Sequence, residues 1–187
     1  MICGIDEAGR GPLAGPVCAA AVILPPDFPI ELLGDSKKLS ASEREKARLA
    51  IERQALAWGI GWASPAEIDR INILKASLLA MKRAFRELAG RYVLPPDTEA
   101  IIDGLYAPDI PIPALPMVKA DGKVPQVMAA SILAKTNRDR LMEYYAGLYP
   151  QYGYERHKGY PTKAHREAVL RYGPSPIQRL TFTVKAD

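Results

Sequence analysis

The chain has 187 residues, of which 48% are hydrophobic and 25% are charged, a composition that suits a folded domain and argues against disorder. Its formal net charge is +4, and no apolar run approaches the ~20 residues of a membrane-spanning helix, so we expect no membrane partner. Asp6 and Glu7 lie where a secretion signal would be apolar, so we expect a cytoplasmic protein. Cys3 and Cys18 match no metal-ligand spacing, and we expect both to be reduced and buried.

The basic charge is concentrated in the last third of the chain. Residues 119–187 carry 12 Lys and Arg against 6 Asp and Glu, whereas residues 1–118 carry 13 against 15. Seven of the nine tyrosines lie within residues 144–172. Cations neutralise phosphates and aromatic rings stack on bases or sugars, so the pattern is typical of a nucleic-acid surface. A solvated basic face with tyrosines at its margin explains the composition equally well.

The first third of the chain predicts two strands joined by a glycine-rich loop and followed by a capped helix. The strands cover residues 2–6 and 17–24, and the loop between them reads EAGRGPLAG. A proline-rich connection leads to Ser40, which forms a capping-box pattern with Glu43 ahead of a helix over ASEREKARLAIERQALA. The sequence WGIGWAS then predicts a short strand.

The rest of the chain alternates helices with short apolar runs. SPAE begins one helix with proline in its first turn, and INILKASLLAMKRAFREL has helical periodicity. EAIIDG and LPMVKADG predict buried strands, and VPQVMAASILAKTNRDRLMEYYAGLY predicts a long helix. Thr162 caps a last helix that ends near Tyr172, before an extended tail over about 174–187. This order predicts one α/β domain over residues 1–187, built on a central mixed sheet flanked by helices. Nothing in the pattern demands more than a monomer, so we expect a monomer.

Three apolar runs, GIDE, IIDG and VKADG, end in a carboxylate followed by a break, and they supply four acids: Asp6, Glu7, Asp103 and Asp121. If these strand ends are neighbours, their carboxylates repel one another and have raised pKa values unless a cation neutralises them. An all-oxygen ligand set favours Mg²⁺ or Mn²⁺ over zinc, and four acids suffice for two ions about 3.5–4 Å apart that cleave a phosphodiester. The alternatives are that the strands never become neighbours and that Asp121 only caps the following helix.

The loop after the first strand has the composition of a ligand-binding turn. Gly9 and Gly11 allow backbone N–H groups to approach a ligand, and Arg10 between them offers a forked cation for phosphate or sugar oxygens. The loop is not a nucleotide P-loop, because no Gly-Lys-Ser/Thr follows it. By itself it is equally compatible with a simple tight turn.

Taken together, five stretches resemble blocks of the bacterial type 2 ribonuclease H (ribonuclease HII) family, in the order of that family: GIDEAGRGPLAGPV, DSKKLS, EIDRINILKASLLAM, AASILAKTNRDR and HKGYPTKAH. The first and last are highly specific, and the resemblance runs almost end to end. It implies a ribonuclease H-like fold and metal-dependent hydrolysis of the RNA strand of RNA/DNA hybrids. It also implies nicking 5′ to single ribonucleotides in duplex DNA, and a role in removing ribonucleotides and RNA primers.

The resemblance also implies roles for particular residues. The metal-binding positions of the family correspond to Asp6, Glu7, Asp103 and Asp121, with Asp6 between two Mg²⁺ or Mn²⁺ ions. The loop that reads the ribose 2′-OH through its backbone corresponds to Gly9, Arg10 and Gly11. Tyr160 falls on the tyrosine that packs against the deoxyribose after the ribonucleotide, although a loop aromatic that covers the core is the simpler interpretation from the residues alone.

Other residues are open to two interpretations. Lys37, Lys38 and Lys135 are candidate phosphate contacts or ordinary exposed lysines. His157 and His165 are candidate proton shuttles, although histidines in such a segment more often bond to the backbone.

The chain departs from the family near its end and leaves two rival functions open. Where the family often has His-Arg-x-Ser-Phe, residues 178–182 read QRLTF, which leaves the catalytic acids intact but puts the duplex footprint in question. One rival is another nuclease of the same fold, such as a junction resolvase, which would cleave independently of ribose. The other is a non-catalytic nucleic-acid-binding domain, which would bind without metal and would leave the four acids unexplained.

Overall fold

The computed structural model describes residues 1–34 and 39–184, and its centre is a five-stranded mixed sheet. The strands are β1 (Ile2–Ala8), β2 (Val17–Ile23), β3 (Ala57–Ala63), β4 (Glu99–Asp103) and β5 (Ala114–Met117). Their spatial order is β3-β2-β1-β4-β5, with β1, β2 and β3 antiparallel and with β4 and β5 added parallel to β1. The predicted mixed α/β architecture is confirmed.

Helices flank this sheet: α1 (Ala41–Gln54), α2 (Pro65–Ile71), α3 (Ile73–Arg91), α4 (Pro125–Leu148), α5 (Tyr154–His157) and α6 (Lys163–Tyr172). The capping box of Ser40 and Glu43 is present, and Thr162 caps α6 by accepting a hydrogen bond from a backbone N–H in its first turn. The four-residue helix α5 was not predicted from the sequence, because a single turn has no periodicity to read.

The two faces of the sheet pack on different helices through small residues. One face packs on α3, where a Cβ placed on Gly61 of β3 would lie 2.0 Å from the Ala80 carbonyl oxygen. The other face packs on α1 and α4. Cys3 and Cys18 are buried, one in each core, and burial raises the pKa of the Cys3 thiol to about 12. In the described ranges, no helix has the length and apolar character needed to span a membrane.

The C-terminal segment differs from the expected extended tail. Its described part packs against the loop after β1, with Gln178 forming an isolated bridge with Ala14. Ile177, Gln178 and Arg179 are buried. This burial was not predicted, because the segment mixes polar and apolar residues without a clear period.

Candidate active site

Three of the four predicted acids converge at one end of the sheet. Asp6, Asp103 and Asp121 can each place a carboxylate oxygen within 4.8 Å of the others. The topology explains the first two: β1 and β4 are parallel neighbours in which Ile5 pairs with Ile102, so the next residue of each strand is an acid at the same edge. The prediction that these strands are adjacent is therefore confirmed.

Asp121 reaches the cluster by a different route from the one expected. It does not end a strand, but lies in a short 3-10 turn, Ala120–Gly122, beyond β5. The turn follows Lys119, whose φ of 58° is left-handed. The Ala120 N–H donates to Asp103 Oδ1 at 2.7 Å, and the Asp121 N–H to the same oxygen at 3.4 Å. Asp103 therefore holds the backbone that carries Asp121.

Charge and burial make this cluster unfavourable without a cation. Asp6 is 4% exposed, and burial, then the negative charges of Glu7 and Asp103, raise its pKa well above the ordinary range. The Glu7 N–H partly offsets this by donating to Asp6 Oδ1 at 2.7 Å. Three carboxylates with no cysteine or histidine among them form a donor set that suits a hard divalent cation.

Glu7 stands beside the cluster rather than within it. Adjacent strand residues point to opposite faces, so Glu7 leaves β1 on the side of α3, where it lines a small depression with Ser77 and Met81. Arg10 Nη1 lies 3.4 Å from Glu7 Oε1, while Glu7 Oε2 is buried without a hydrogen-bond partner among the described residues. Burial raises the pKa of Glu7, and the charge of Arg10 opposes that shift.

A cavity of about 420 Å³ opens directly beside Glu7. The loop of Gly9, Arg10 and Gly11 lines one side of it, so the structure places the predicted loop next to the predicted acids. Apart from Ala8, the remaining lining is polar or aromatic: Arg44, Ser131, Lys135 and Tyr160. Three cations around one cavity make it suited to the phosphates of a nucleic acid.

Tyr160 faces this cavity. Its ring is 38% exposed and lies beside Gly11, where an added Cβ would be 3.7 Å from the Cε1 atom of the ring. Lys135 Nζ is 5.8 Å and Arg138 Cζ is 5.9 Å from the ring centroid. The ring is therefore held at the edge of the cavity by the loop and by two cations.

The other candidate residues have different surroundings. Lys37 and Lys38 lie outside the described residues, and Lys135 lines the cavity while its ammonium pairs with Asp139 at 2.8 Å. His157 and His165 are buried and stacked, with ring centroids 4.4 Å apart, and each ring bonds to a backbone carbonyl. Burial lowers the pKa of His165 to about 4, which favours its neutral form, and the bond to the Tyr160 carbonyl matches the backbone-bonded interpretation.

Sequence reasoning missed two residues of the cavity. Arg44 lies near the start of α1, where one cation among several carries no distinguishing signal. Ser131 is a small polar residue on the apolar face of α4, and its hydroxyl bonds to Asp6, which favours the charged form of that carboxyl. A polar residue within a buried apolar run was the signal that could have identified Ser131.

Comparisons with known proteins agree with one another. The family model for Ribonuclease HII matches residues 3–185. A ribonuclease HII of Treponema denticola is 54% identical over 200 residues, covering 99% of this chain and 99% of the relative.

Solved structures share the fold. The structure of a PCNA:RNase HII complex from Archaeoglobus fulgidus matches with a TM-score of 0.77 and 27% identity, covering 100% of this chain and 97% of the other. A Bst-RNase HIII structure in complex with Mn²⁺ matches with a TM-score of 0.77 and 21% identity, covering 97% of this chain and 67% of the other. At that lower identity, the second match supports the ribonuclease H-like fold alone.

Proposed function

Because the chain belongs to the ribonuclease HII family and is a metal-dependent endoribonuclease, we propose that it nicks duplex DNA on the 5′ side of a single embedded ribonucleotide and also hydrolyses the RNA strand of RNA/DNA hybrids. One observation carries this proposal: Glu7, the chain neighbour of Asp6 in the acid cluster, lines a cavity together with Gly9, Arg10, Gly11 and Tyr160. A cleavage centre and a surface suited to recognising a sugar-phosphate backbone are therefore contiguous.

The metal ligands we propose are the four acids Asp6, Glu7, Asp103 and Asp121. The cluster fits the group, since Asp6 is buried among like charges and Glu7 Oε2 is buried without a partner among the described residues. Two Mg²⁺ or Mn²⁺ ions, when bound, supply a water of lowered pKa and stabilise the departing 3′-oxygen. The expected products are a 3′-hydroxyl and a 5′-phosphate.

Each side chain around the acid cluster has a separate proposed role. Asp6 is the buried member of the cluster and interacts with both Glu7 and Asp103, so it is the proposed shared ligand. Asp103 orients the turn that presents Asp121. Arg10 offsets part of the negative charge of Glu7, which keeps that side chain near the cluster. These contacts fix the acids before the substrate arrives.

The loop and Tyr160 would supply selectivity for ribose. We propose that backbone groups of Gly9, Arg10 and Gly11 bind the 2′-OH, the group that distinguishes RNA from DNA. The Tyr160 ring lies across the same cavity and would pack on the next sugar. Lys37 is a proposed phosphate contact outside the described residues.

We also propose the setting in which this activity operates. A single catalytic domain over residues 1–187, acting as a monomer in the cytoplasm, would remove ribonucleotides from DNA and would help to remove RNA primers. The support is the family membership, together with the near-complete coverage of the relative by this chain.

Cleavage of three matched duplexes tests the proposal. They carry one ribonucleotide, no ribonucleotide, or a continuous RNA strand, and each is incubated with Mg²⁺, with Mn²⁺ or with a chelator. We expect metal-dependent cleavage of the first and third duplexes and none of the all-DNA duplex. Equal cleavage of all three would favour a ribose-independent nuclease, whereas binding without cleavage would favour a non-catalytic domain.

A further inference from the structure

A fully buried arginine lies directly beneath the loop that lines the cavity. Arg179 is 0% exposed, and its guanidinium donates to three carbonyl oxygens of one segment: Gly15 O at 2.9 Å, Arg10 O at 2.9 Å and Gly9 O at 2.5 Å. Its side chain pairs with no acid among the described residues. The guanidinium carbon also lies 5.1 Å from the centroid of the Phe182 ring. Burying a charge is costly, so a cation held by carbonyl groups and one aromatic ring, without an acid partner in the described ranges, indicates that these bonds have a use beyond stability.

Because peptide groups are planar, these hydrogen bonds also fix the direction of the neighbouring N–H groups in the loop. In a planar trans peptide, the carbonyl of one residue and the N–H of the next point in opposite directions. The carbonyls of Gly9 and Arg10 point at Arg179, so the N–H groups of Arg10 and Gly11 point away from it. Arg179 lies beneath the loop, whereas Arg10 and Gly11 are exposed and line the cavity on its outer side.

The segment that carries Arg179 is itself held in place. The Arg179 N–H donates to Leu13 O at 2.9 Å, and the Gly15 N–H donates to Ile177 O at 2.8 Å. Just beyond, the Asp69 carboxylate accepts hydrogen bonds from the backbone N–H groups of Leu180 and Thr181 at 2.9 and 3.0 Å. The backbone that carries Arg179 is therefore fixed by hydrogen bonds to the loop after β1 and to Asp69, and it is not a free tail.

We propose that Arg179 is a positioning residue for substrate selection: by holding the carbonyls of Gly9 and Arg10, it aims the N–H groups of Arg10 and Gly11 at the 2′-OH of a ribonucleotide. The inference rests on the proposed ribose reading by this loop and names the residue that makes the reading possible. Arg179 touches no substrate, so removing it would reduce discrimination between ribose and deoxyribose rather than binding in general.

Arg48 is a matched control within the same chain. It is 7% exposed, and its guanidinium donates to the carboxylates of Glu45 and Glu52 on its own helix, α1. It does not line the cavity, and none of these bonds involves the Gly9–Gly11 loop. Arg48→Lys therefore reproduces the loss of a buried fork without releasing the carbonyls of Gly9 and Arg10.

The experiment measures affinity in the catalytically blocked Asp6→Asn protein. Dissociation constants are determined for a duplex with one ribonucleotide and for the all-DNA duplex of the same sequence, and their ratio is the ribose preference. Lysine lacks the fork that spans three carbonyls, so we expect Arg179→Lys to reduce the preference by about fivefold, the value of one hydrogen bond. Affinity for all-DNA should change little, and Arg48→Lys should keep the preference.

Two further measurements distinguish the loss of the Arg179 hydrogen bonds from unfolding of the variant proteins. Thermal unfolding of each variant shows whether it is folded at the assay temperature, and millimolar guanidinium added to Arg179→Ala should restore the preference by filling the vacated site. An unchanged preference in Arg179→Lys, or an equal loss in Arg48→Lys, overturns the inference. No ribose preference in the Asp6→Asn parent would instead contradict the proposed function of the loop.

Discussion

At the acid cluster, the fold holds three carboxylates closer together than their charges favour. Asp6 is fixed by β1, Asp103 by β4, and Asp121 by a turn that Asp103 itself holds. Without a cation, the repulsion and the burial of Asp6 oppose folding, and a bound divalent ion removes both costs. The charge of Asp6 that would bind the cation therefore destabilises the metal-free fold, and this leads to a prediction in two parts.

Replacing Asp6 by Asn should abolish turnover and stabilise the metal-free protein. Cleavage of the one-ribonucleotide duplex should fall below about 1% of wild type, because a central ligand is lost. In a chelator, unfolding should require on the order of 1 kcal/mol more, because a buried charge is removed. Nuclease assays and thermal unfolding in EDTA measure the two effects.

Asp109→Asn is the control, because the Asp109 side chain is 93% exposed, and it should change neither activity nor stability. An active Asp6→Asn enzyme would exclude Asp6 as a ligand.

The ring of Tyr160 offers a second prediction at this scale. Tyr160→Ala should reduce cleavage at a single ribonucleotide about tenfold while affecting binding of plain duplex less, because the packing surface for one sugar is lost. Tyr160→Phe retains that surface and should remain close to wild type. Cleavage rates and duplex affinities of the two variants are compared. Equal losses of cleavage and plain-duplex affinity in Tyr160→Ala would mean that the ring is merely structural.

The acids were predictable from the sequence because three apolar runs end in a carboxylate, a repetition that turn formation or helix capping explains poorly. The position of Asp121 was not, since it depends on the left-handed Lys119 and on bonds to Asp103, neither of which leaves a periodic pattern. Arg44 was missed for a similar reason: its role comes from a neighbouring cavity that only the tertiary structure creates.

At the scale of elements, close contact between helix and strand shapes the sheet that carries the site. Gly59 and Gly61 of β3 lie against the backbone of α3, and a Cβ on Gly59 would lie 2.3 Å from the Ala84 carbonyl oxygen. On the other face, a Cβ on Gly4 would lie 2.1 Å from the backbone carbonyl carbon of Gln126 in α4. Glycine at these positions is what allows both helices to approach the sheet.

Adding a single methyl group at this contact should be costly. Gly61→Ala should destabilise the protein by about 2–3 kcal/mol, because α3 must move away from the sheet. Gly90, near the end of α3, has nothing within 4 Å of an added Cβ, and Gly90→Ala should stabilise the helix by about 0.5–1 kcal/mol. Chemical denaturation of both variants measures the effects. A Gly61→Ala protein as stable as wild type would mean that the contact can relax.

Elements with local signals were predicted well, and those stabilised only by distant contacts were not. The capping residues Ser40 and Thr162 act on their own helices, so the sequence alone shows them. β1 was predicted to end at Asp6 but continues to Ala8, because its last residues pair with β2. The buried segment around Arg179 was read as a tail, since its partners lie in the loop after β1, far away in sequence.

At the scale of the whole molecule, the stacked histidines couple the Tyr160 loop to global stability. His165 Nδ1 bonds to the Tyr160 carbonyl oxygen at 3.0 Å, and burial keeps the ring neutral by lowering its pKa to about 4. In the unfolded chain, the same histidine binds a proton below about pH 6.5. The stability that it contributes is therefore complete above pH 6.5 and is lost as the pH falls toward about 4.

His165→Asn should flatten this part of the pH profile. Asparagine keeps a side-chain donor for the Tyr160 carbonyl but does not titrate, so the variant should lose up to about 3 kcal/mol less than wild type between pH 6.5 and pH 4. Free energies of unfolding across this range, in both proteins, measure the difference. Parallel profiles would show that other groups, such as the neighbouring His157, carry the acid sensitivity.

The most direct test of the central claim is to map the nick while a single ribonucleotide is moved along one DNA duplex. If the acid cluster and the Gly9–Gly11 loop act as one site, the nick should follow the ribonucleotide base by base, always on its 5′ side, and only when Mg²⁺ or Mn²⁺ is present. A nick that keeps its position when the ribonucleotide moves would contradict the account, because cleavage would then not depend on recognition of the ribose.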